Sequence, residues 1–188
     1  MCSSLRSDHR QERARTLEAA TSALVIIDAQ AGLIAEGAWE ADAILGRIAL
    51  LLARARQRGA WVVFVTDRRV APDGSVHHSL EVCPADPIVS KSYSDSFLGT
   101  ELDELLRARG VRQLVVAGLQ TDYCIDTTCR RAVSLGYDVV LVSDAHTTFD
   151  HESLDAARIV AHHNRILRDF PAGSVRVQVI PAEDVAFA

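Results

Sequence analysis

Short, nearly continuous apolar runs recur along the chain and alternate with longer amphipathic segments. Apolar runs without polar alternation are typical of parallel strands buried on both faces, and amphipathic segments between them are typical of crossover helices. The pattern predicts βαβ units, and hence a three-layer αβα, Rossmann-like α/β fold with a mostly parallel six-stranded sheet. The predicted strands are Ala23–Ile27, Trp61–Val65, Ile88–Val89, Gln113–Ala117, Asp138–Val142 and Val175–Ile180, the last as an edge strand. The predicted helices are Glu40–Arg58, Leu98–Arg109, Cys124–Leu135 and Glu152–Arg168.

Length and composition are those of one globular domain. The chain has 188 residues, of which 48% are hydrophobic and 24% charged, so it can bury a full core. We predict a single domain over residues 22–188, preceded by a polar extension over residues 1–21 that is flexible or weakly helical. The extension lacks the apolar region of a secretory signal, which favours a cytoplasmic location.

Charge and hydropathy exclude two classes of partner. The net charge is -5 and is spread along the sequence without a basic stripe, which argues against nucleic acid as a partner. No apolar run approaches the length of about 20 residues that spans a bilayer, which argues against membrane insertion. Neither a nucleic-acid partner nor a membrane partner is therefore expected.

The four cysteines are Cys2, Cys83, Cys124 and Cys129, and they form no CxxC pair and no zinc-ribbon spacing. A domain of this size with a good core does not need disulfides for stability. We therefore predict reduced thiols, which leaves one of them free to be reactive.

Polar residues directly follow several predicted strands. Asp28 and Gln30 follow the first strand, Asp67 the second, Lys91 the short third, and the segment Gln120–Cys124 the fourth. Ligands of open parallel sheets bind beyond the carboxyl ends of the strands. The sequence therefore predicts that these residues meet at one edge of the sheet.

Cys124 is the candidate nucleophile of this group. At the start of a helix, backbone N–H groups and the helix dipole lower a thiol pKa, and they can also hold an oxyanion. Asp28 could accept the thiol proton and Lys91 could stabilise the thiolate. The alternatives are a small buried cysteine, an Asp that forms a turn, and a solvated surface Lys.

With these residues in place, the sequence resembles the isochorismatase-like cysteine hydrolases, which include nicotinamidases and N-carbamoylsarcosine amidohydrolase. Four ordered segments within about residues 22 to 170 carry the resemblance: Ala23–Gln30, Lys91–Leu102, Val116–Ile125 and Gly136–Ala145. It implies a catalytic triad of Asp28, Lys91 and Cys124. It also implies a cis peptide before Gln120, with the backbone N–H groups of Gln120 and Cys124 forming an oxyanion hole.

The resemblance implies hydrolysis of an amide-type C–N bond through a thioester on Cys124. Gln30 and Gln120 could orient a small polar substrate, although Gln30 could equally be a structural hydrogen-bonding residue. Tyr93, Trp39 and Tyr123 could line the pocket or could simply pack. Family members are commonly dimers or tetramers, so the resemblance also implies a homo-oligomer.

The segment after the second strand departs from the nicotinamidase pattern. Nicotinamidases place an Asp and, two residues on, a His there as metal ligands, whereas this chain has Asp67 and Arg69. His77 and His78 follow out of register and make a poor zinc site. We therefore predict no metal and no cofactor, and expect Asp67 to cap the turn or pair with Arg69.

Other functions remain open from the sequence. One is an enol-ether hydrolase of the isochorismatase type, and another is a non-catalytic member of the fold that binds a small molecule or serves in assembly. A thiol redox protein ranks lowest because no resolving cysteine has a usable spacing.

Overall fold

The computed structural model describes residues 15–188 and contains a mostly parallel central sheet. The sheet has seven strands, which are β2 (Ser22–Ile27), β3 (Trp61–Asp67), β4 (Ile88–Lys91), β5 (Gln113–Leu119), β6 (Asp138–Thr147), β7 (Pro171–Ala172) and β8 (Val175–Ile180). Their order in the sheet is β4-β3-β2-β5-β6-β8-β7. The predicted α/β class is confirmed. The predicted strand count is one short, because the two-residue strand β7 pairs antiparallel with β8 and takes the edge position.

Helices cover both faces of the sheet. They are α1 (Ala31–Ala35), α2 (Ala41–Gln57), α3 (Leu102–Ala108), α4 (Asp126–Ser134) and α5 (Ala156–Leu167). Helix α2 packs on one face, and apolar residues of α3, α4 and α5 pack on the other. None of the helices within residues 15–188 is long and apolar enough to cross a bilayer.

The apolar runs form strands because both of their faces are buried. In β2, Leu24 and Ile26 pack into the core beneath α2, whereas Val25 and Ile27 pack into the opposite core. Successive side chains of a strand point to opposite faces, so a strand between two helical layers must be apolar throughout. This arrangement explains why the central strands show no polar alternation.

The beginning of the described chain differs from the predicted extension. Residues Arg15–Leu17 form strand β1, which pairs in parallel with β9 (Val185–Phe187), and Leu17 is buried with 1% of its surface exposed. A 3-10 turn over Ala19–Thr21 joins β1 to β2. Residues 15–21 are therefore part of the folded domain. The rest of the predicted extension, with Cys2, lies outside the described residues.

Gly118 in β5 is required by the close approach of β2. Its φ is +121°, and a Cβ there would lie 1.9 Å from the carbonyl oxygen of Ile27. We expect Gly118→Ala to destabilise the fold by about 3 kcal/mol or more, because it combines a positive φ with a backbone clash.

Gly46, exposed within α2, has nothing within 4 Å of such a Cβ. Gly46→Ala is therefore the control, expected to stabilise by about 0.5–1 kcal/mol in urea unfolding. Equal stability of the two variants would contradict the prediction.

Candidate active site

The carboxyl ends of β2, β4 and β5 bring three distant residues together. Asp28 directly follows β2, and its backbone N–H donates to the carbonyl of Val65 on β3. Lys91 is the last residue of β4, and Cys124 lies in the turn Thr121–Ile125 that follows β5. The predicted convergence at one edge of the sheet is what the geometry shows.

Lys91 is the centre of this cluster. Its Nζ lies 2.6 Å from Oδ2 of Asp28 and 3.2 Å from Sγ of Cys124. A third contact, of 3.5 Å, joins Nζ to Oδ2 of Asp67. The side chain of Lys91 is fully buried. A buried ammonium needs such partners, because burying an unpaired charge is costly.

The Asp28 carboxylate has one oxygen free. Oδ2 is bonded to Lys91, whereas Oδ1 is buried without a hydrogen-bond partner among residues 15–188. Burial raises the pKa of Asp28, although the charge of Lys91 acts in the opposite direction. A carboxylate with a raised pKa and a free oxygen is suited to accept a proton.

Cys124 is a neutral thiol in this environment. Burial and the neighbouring Asp28 carboxylate raise its pKa to about 11, and the charge of Lys91 offsets only part of this rise. The lowered pKa predicted from a helix start is therefore wrong for the free protein. The reason is that Cys124 is 6% exposed beside a carboxylate, and these effects outweigh the N–H groups of the turn. The thiol must lose its proton during attack rather than before it.

Lys91 keeps its proton. Burial alone would lower its pKa, but Asp28 and Cys124 together raise it. The side chain therefore remains a cation between the carboxylate and the sulfur. This cation can stabilise the sulfur as negative charge develops on it.

A cavity of about 560 Å³ opens above these residues, a volume suited to a small molecule. Its wall combines reactive, charged and apolar side chains. The lining residues are Asp28, Leu33, Glu36, Asp67, Arg69, Val70, Ala71, Ser94, Gln120, Tyr123 and Cys124. Gln120 and Tyr123, which the sequence analysis offered as pocket residues, therefore do line the cavity. Tyr93 and Trp39 are not among the lining residues, and Tyr93 is exposed.

Gln30 has a structural position. Its Oε1 accepts from the backbone N–H of Asp67 at 2.8 Å, and its Nε2 donates to the carbonyls of Asp67 and Gly74. It is buried, and it is not a lining residue of the cavity. The geometry therefore favours the structural alternative over the predicted substrate contact, because both ends of the amide are occupied by backbone groups.

Asp67 and Arg69 form an ion pair where nicotinamidases hold their metal. Nε of Arg69 lies 2.9 Å from Oδ1 of Asp67, and Nη2 donates to Oδ2 at 2.5 Å. Burial alone would raise the pKa of Asp67, but Arg69 and Lys91 hold it at about 2. Since both carboxylate oxygens face the guanidinium, these residues do not fit a divalent metal. Within residues 15–188, no cluster of three His, Cys, Asp or Glu side chains could hold one.

Two site features escaped the sequence analysis. Ser94 lines the cavity from an irregular segment that shows no periodicity, and His146 contacts Thr121 in the turn that holds Cys124. His146 does follow the motif segment Gly136–Ala145 directly, which is the one signal that could have drawn attention to it. The peptide between Leu119 and Gln120 is cis, as the resemblance implied.

Comparison with known proteins identifies the family of the chain. Residues 22–165 match the isochorismatase domain model, and the chain therefore belongs to the isochorismatase family. A streptothricin hydrolase from Streptomyces noursei is 38% identical over 138 residues, which are 68% of this chain and 50% of that protein. The ureidoacrylate amidohydrolase of Agrobacterium fabrum (strain C58) is 37% identical over 73 residues, covering 39% of this chain and 32% of that protein.

A solved structure extends the likeness to the whole fold. The crystal structure of an isochorismatase family protein superposes with a TM-score of 0.77 at 30% identity, covering 85% of this chain and 98% of that one. The chain spans only about half the length of the streptothricin hydrolases that it matches, 50% and 55%.

Proposed function

We propose that the protein is a cysteine hydrolase that cleaves an amide-type C–N bond of a small molecule without a metal. One observation carries the proposal: Nζ of Lys91 contacts both the Asp28 carboxylate and the Cys124 sulfur, and these two residues line the cavity. A nucleophile, a base with a free oxygen and a fixed cation are the groups that acyl transfer through a thioester requires.

The first half of the reaction forms the thioester. Asp28 removes the thiol proton as Sγ of Cys124 attacks the substrate carbonyl carbon. Lys91 stabilises the charge that develops on sulfur, and backbone N–H groups of Gln120 and Cys124 hold the oxyanion. The C–N bond then breaks, and the protonated Asp28 gives its proton to the leaving nitrogen.

The second half consumes one water molecule. Asp28, again a carboxylate, removes a proton from water as its oxygen attacks the thioester carbonyl. The C–S bond breaks, the acid product leaves, and the proton on Asp28 returns to sulfur. The net reaction converts an amide and one water molecule into a carboxylic acid and an amine, and the enzyme returns to its starting state.

The cavity wall carries three acidic side chains, and two of them are neutralised by ion pairs. Asp28 is paired with Lys91 and Asp67 with Arg69, whereas Glu36 has no ion-pair partner among the described residues. The relatives' names supply two candidate substrates, streptothricin and ureidoacrylate. A first panel therefore contains these two with simple primary amides and lactams.

Cys124→Ala tests the proposal on that panel. We expect the wild type to release amine, ammonia or ring-opened product, and the variant to lose about 10³-fold or more of this activity. Mass spectrometry of the quenched wild-type reaction should show an acyl group on Cys124. Product formation by Cys124→Ala at the wild-type rate would contradict the proposal, because the hydrolysis would then proceed without the sulfur.

A further inference from the structure

A buried series of hydrogen bonds joins the turn that holds Cys124 to β6 and α5. Nδ1 of His146 lies 2.8 Å from Oγ1 of Thr121, and its Nε2 lies 2.9 Å from Oδ1 of Asn164. His146 and Thr121 are both completely buried. The proposed reaction at Cys124 uses neither residue. His146 is therefore a buried titratable group without an assigned role.

The direction of each hydrogen bond in this series follows from Asn164, at which the series ends. Nδ2 of Asn164 donates to the carbonyl of Ser143 at 2.9 Å, so Oδ1 of Asn164 is its accepting end. Nε2 of His146 must then carry the proton, and Nδ1 is left as an acceptor. The Thr121 hydroxyl therefore donates to Nδ1.

A bulge in β6 brings the ring to this position. Val116 of β5 pairs with Leu141, but Gly118 pairs with His146, so β6 has three more residues than β5 over this stretch. The carbonyl that Asn164 binds belongs to Ser143, within that bulge. The helix α5 residue Asn164 thus fixes both the bulge and the imidazole.

The segment that follows the bulge in β6 also binds Asp122, the turn residue next to Thr121. The hydroxyl of Thr148 donates to Oδ1 of Asp122 at 2.6 Å. Two consecutive residues of the turn, Thr121 and Asp122, are therefore tied to the segment that follows the bulge. The same turn presents Cys124 to Lys91.

We propose that His146 is a positioning residue, which as a neutral imidazole accepts from Thr121 and donates to Asn164 and so holds the turn that places Cys124 against Asp28 and Lys91. This role rests on the proposed function of Cys124 as the nucleophile. It identifies the tertiary contact that fixes the sulfur, rather than a further group that touches substrate.

Protonation of His146 would turn Nδ1 into a donor, so the Thr121 hydroxyl would have to accept from the ring instead of donating to it. Burial lowers the pKa of His146 to about 4; His163 on α5 also lowers it, whereas Asn164 and Asp144 raise it. The ring therefore stays neutral at physiological pH, and the acceptor for Thr121 is retained.

Two substitutions of His146 separate positioning from packing. The Asn side chain can place its amide oxygen near the former Nδ1 and still accept from Thr121, whereas the Gln amide reaches the former Nε2 and leaves Thr121 without an acceptor. Thr121→Val removes the donor at similar size, and Thr121→Ser restores it. All four variants alter the same buried hydrogen bond between Thr121 and His146.

The readout is the pH midpoint of Cys124 alkylation by iodoacetamide, followed by mass spectrometry of the Cys124 peptide, which needs no substrate. The wild-type midpoint is expected at about 11. We expect His146→Gln and Thr121→Val to move it towards the ordinary thiol value of 9.0, because a loosened turn releases the sulfur from burial and from Asp28. His146→Asn and Thr121→Ser should keep the wild-type midpoint.

The outcomes are distinct from those of the proposed function. If His146→Asn and His146→Gln move the midpoint equally, or neither moves it, the positioning role is overturned whether or not any substrate is hydrolysed. If His146→Gln fails to fold, the comparison of Thr121→Val with Thr121→Ser decides by the same criterion. With a substrate in hand, Thr121→Val should lower kcat about tenfold or more while leaving KM near the wild-type value.

Discussion

Replacing Asp28 with Asn is expected to abolish hydrolysis and, at the same time, to make the Cys124 thiol more acidic. The Asp28 carboxylate is one of the causes that raise the Cys124 pKa to about 11, because a thiolate beside a carboxylate is disfavoured. Asn has almost the same shape but no charge, so the sulfur stays buried, and Lys91 keeps its contacts with Cys124 and with the Asp67 carboxylate. The amide cannot take a proton from the thiol, so turnover is lost although more thiolate is present.

Iodoacetamide labelling at pH 8 measures the first effect. With a pKa of about 11, roughly one sulfur in a thousand is a thiolate at this pH, and each unit by which the pKa falls raises that fraction about tenfold. We therefore expect Cys124 of Asp28→Asn to be labelled about tenfold faster than in the wild type. The variant Cys124→Ala serves as the control for labelling at other cysteines. Slower or unchanged labelling would show that Asp28 does not govern the sulfur.

Replacing Lys91 with Met is expected to cost about 3–5 kcal/mol of unfolding free energy near pH 8. Lys91 is fully buried and lies 2.6 Å from the Asp28 carboxylate, whose other oxygen has no hydrogen-bond partner in the described part of the chain. Methionine fills a similar volume but leaves that carboxylate buried and without its cation. The fold then carries an uncompensated charge.

Adding Asp28→Asn to Lys91→Met supplies the matched control. Removing both charges should recover much of the lost stability, because the cost arises from the unpaired carboxylate rather than from the loss of a favourable pair. The penalty of Lys91→Met alone should also shrink as the pH falls, since protonation of Asp28, whose folded pKa is raised, removes the charge. Urea unfolding at pH 5 and pH 8 measures both effects. A double variant no more stable than Lys91→Met would refute this account.

The central strands could be predicted because their environment leaves a local signal. The run Ala23–Ile27 is apolar throughout, and the structure extends it by one residue as β2. Helix α3 shows the limit of such signals: it was predicted from Leu98 but begins at Leu102. Side chains of Asp95 and Thr100 bond the backbone ahead of it and hold a non-helical turn.

Strand β1 had no local signal. Its sequence, Arg15-Thr16-Leu17, is polar except for one residue and becomes a strand only by pairing with Val185–Phe187 at the other end of the chain. The two-residue strand β7 is likewise too short for any periodicity. Pairing across long separations is decided by tertiary contacts, which override weak local propensity.

For the site, the sequence by itself determined which residues follow the parallel strands, and so that Asp28, Lys91 and Cys124 would meet at one edge. It also showed that Arg69 stands where a metal ligand would be expected. The first conclusion needs only strand order and residue type, because the carboxyl ends of parallel strands share one edge. The second rests on the resemblance to nicotinamidases.

The tertiary structure alone decided the protonation state of the sulfur and the support of its turn. Asp28 and Lys91 are 63 residues apart, and Cys124 is a further 33 residues along the chain. The Cys124 pKa depends on burial and on distances to those charges, and the contact of His146 with Thr121 depends on a bulge in β6. Electrostatic energy varies with separation and local dielectric, and neither quantity exists until the chain has folded.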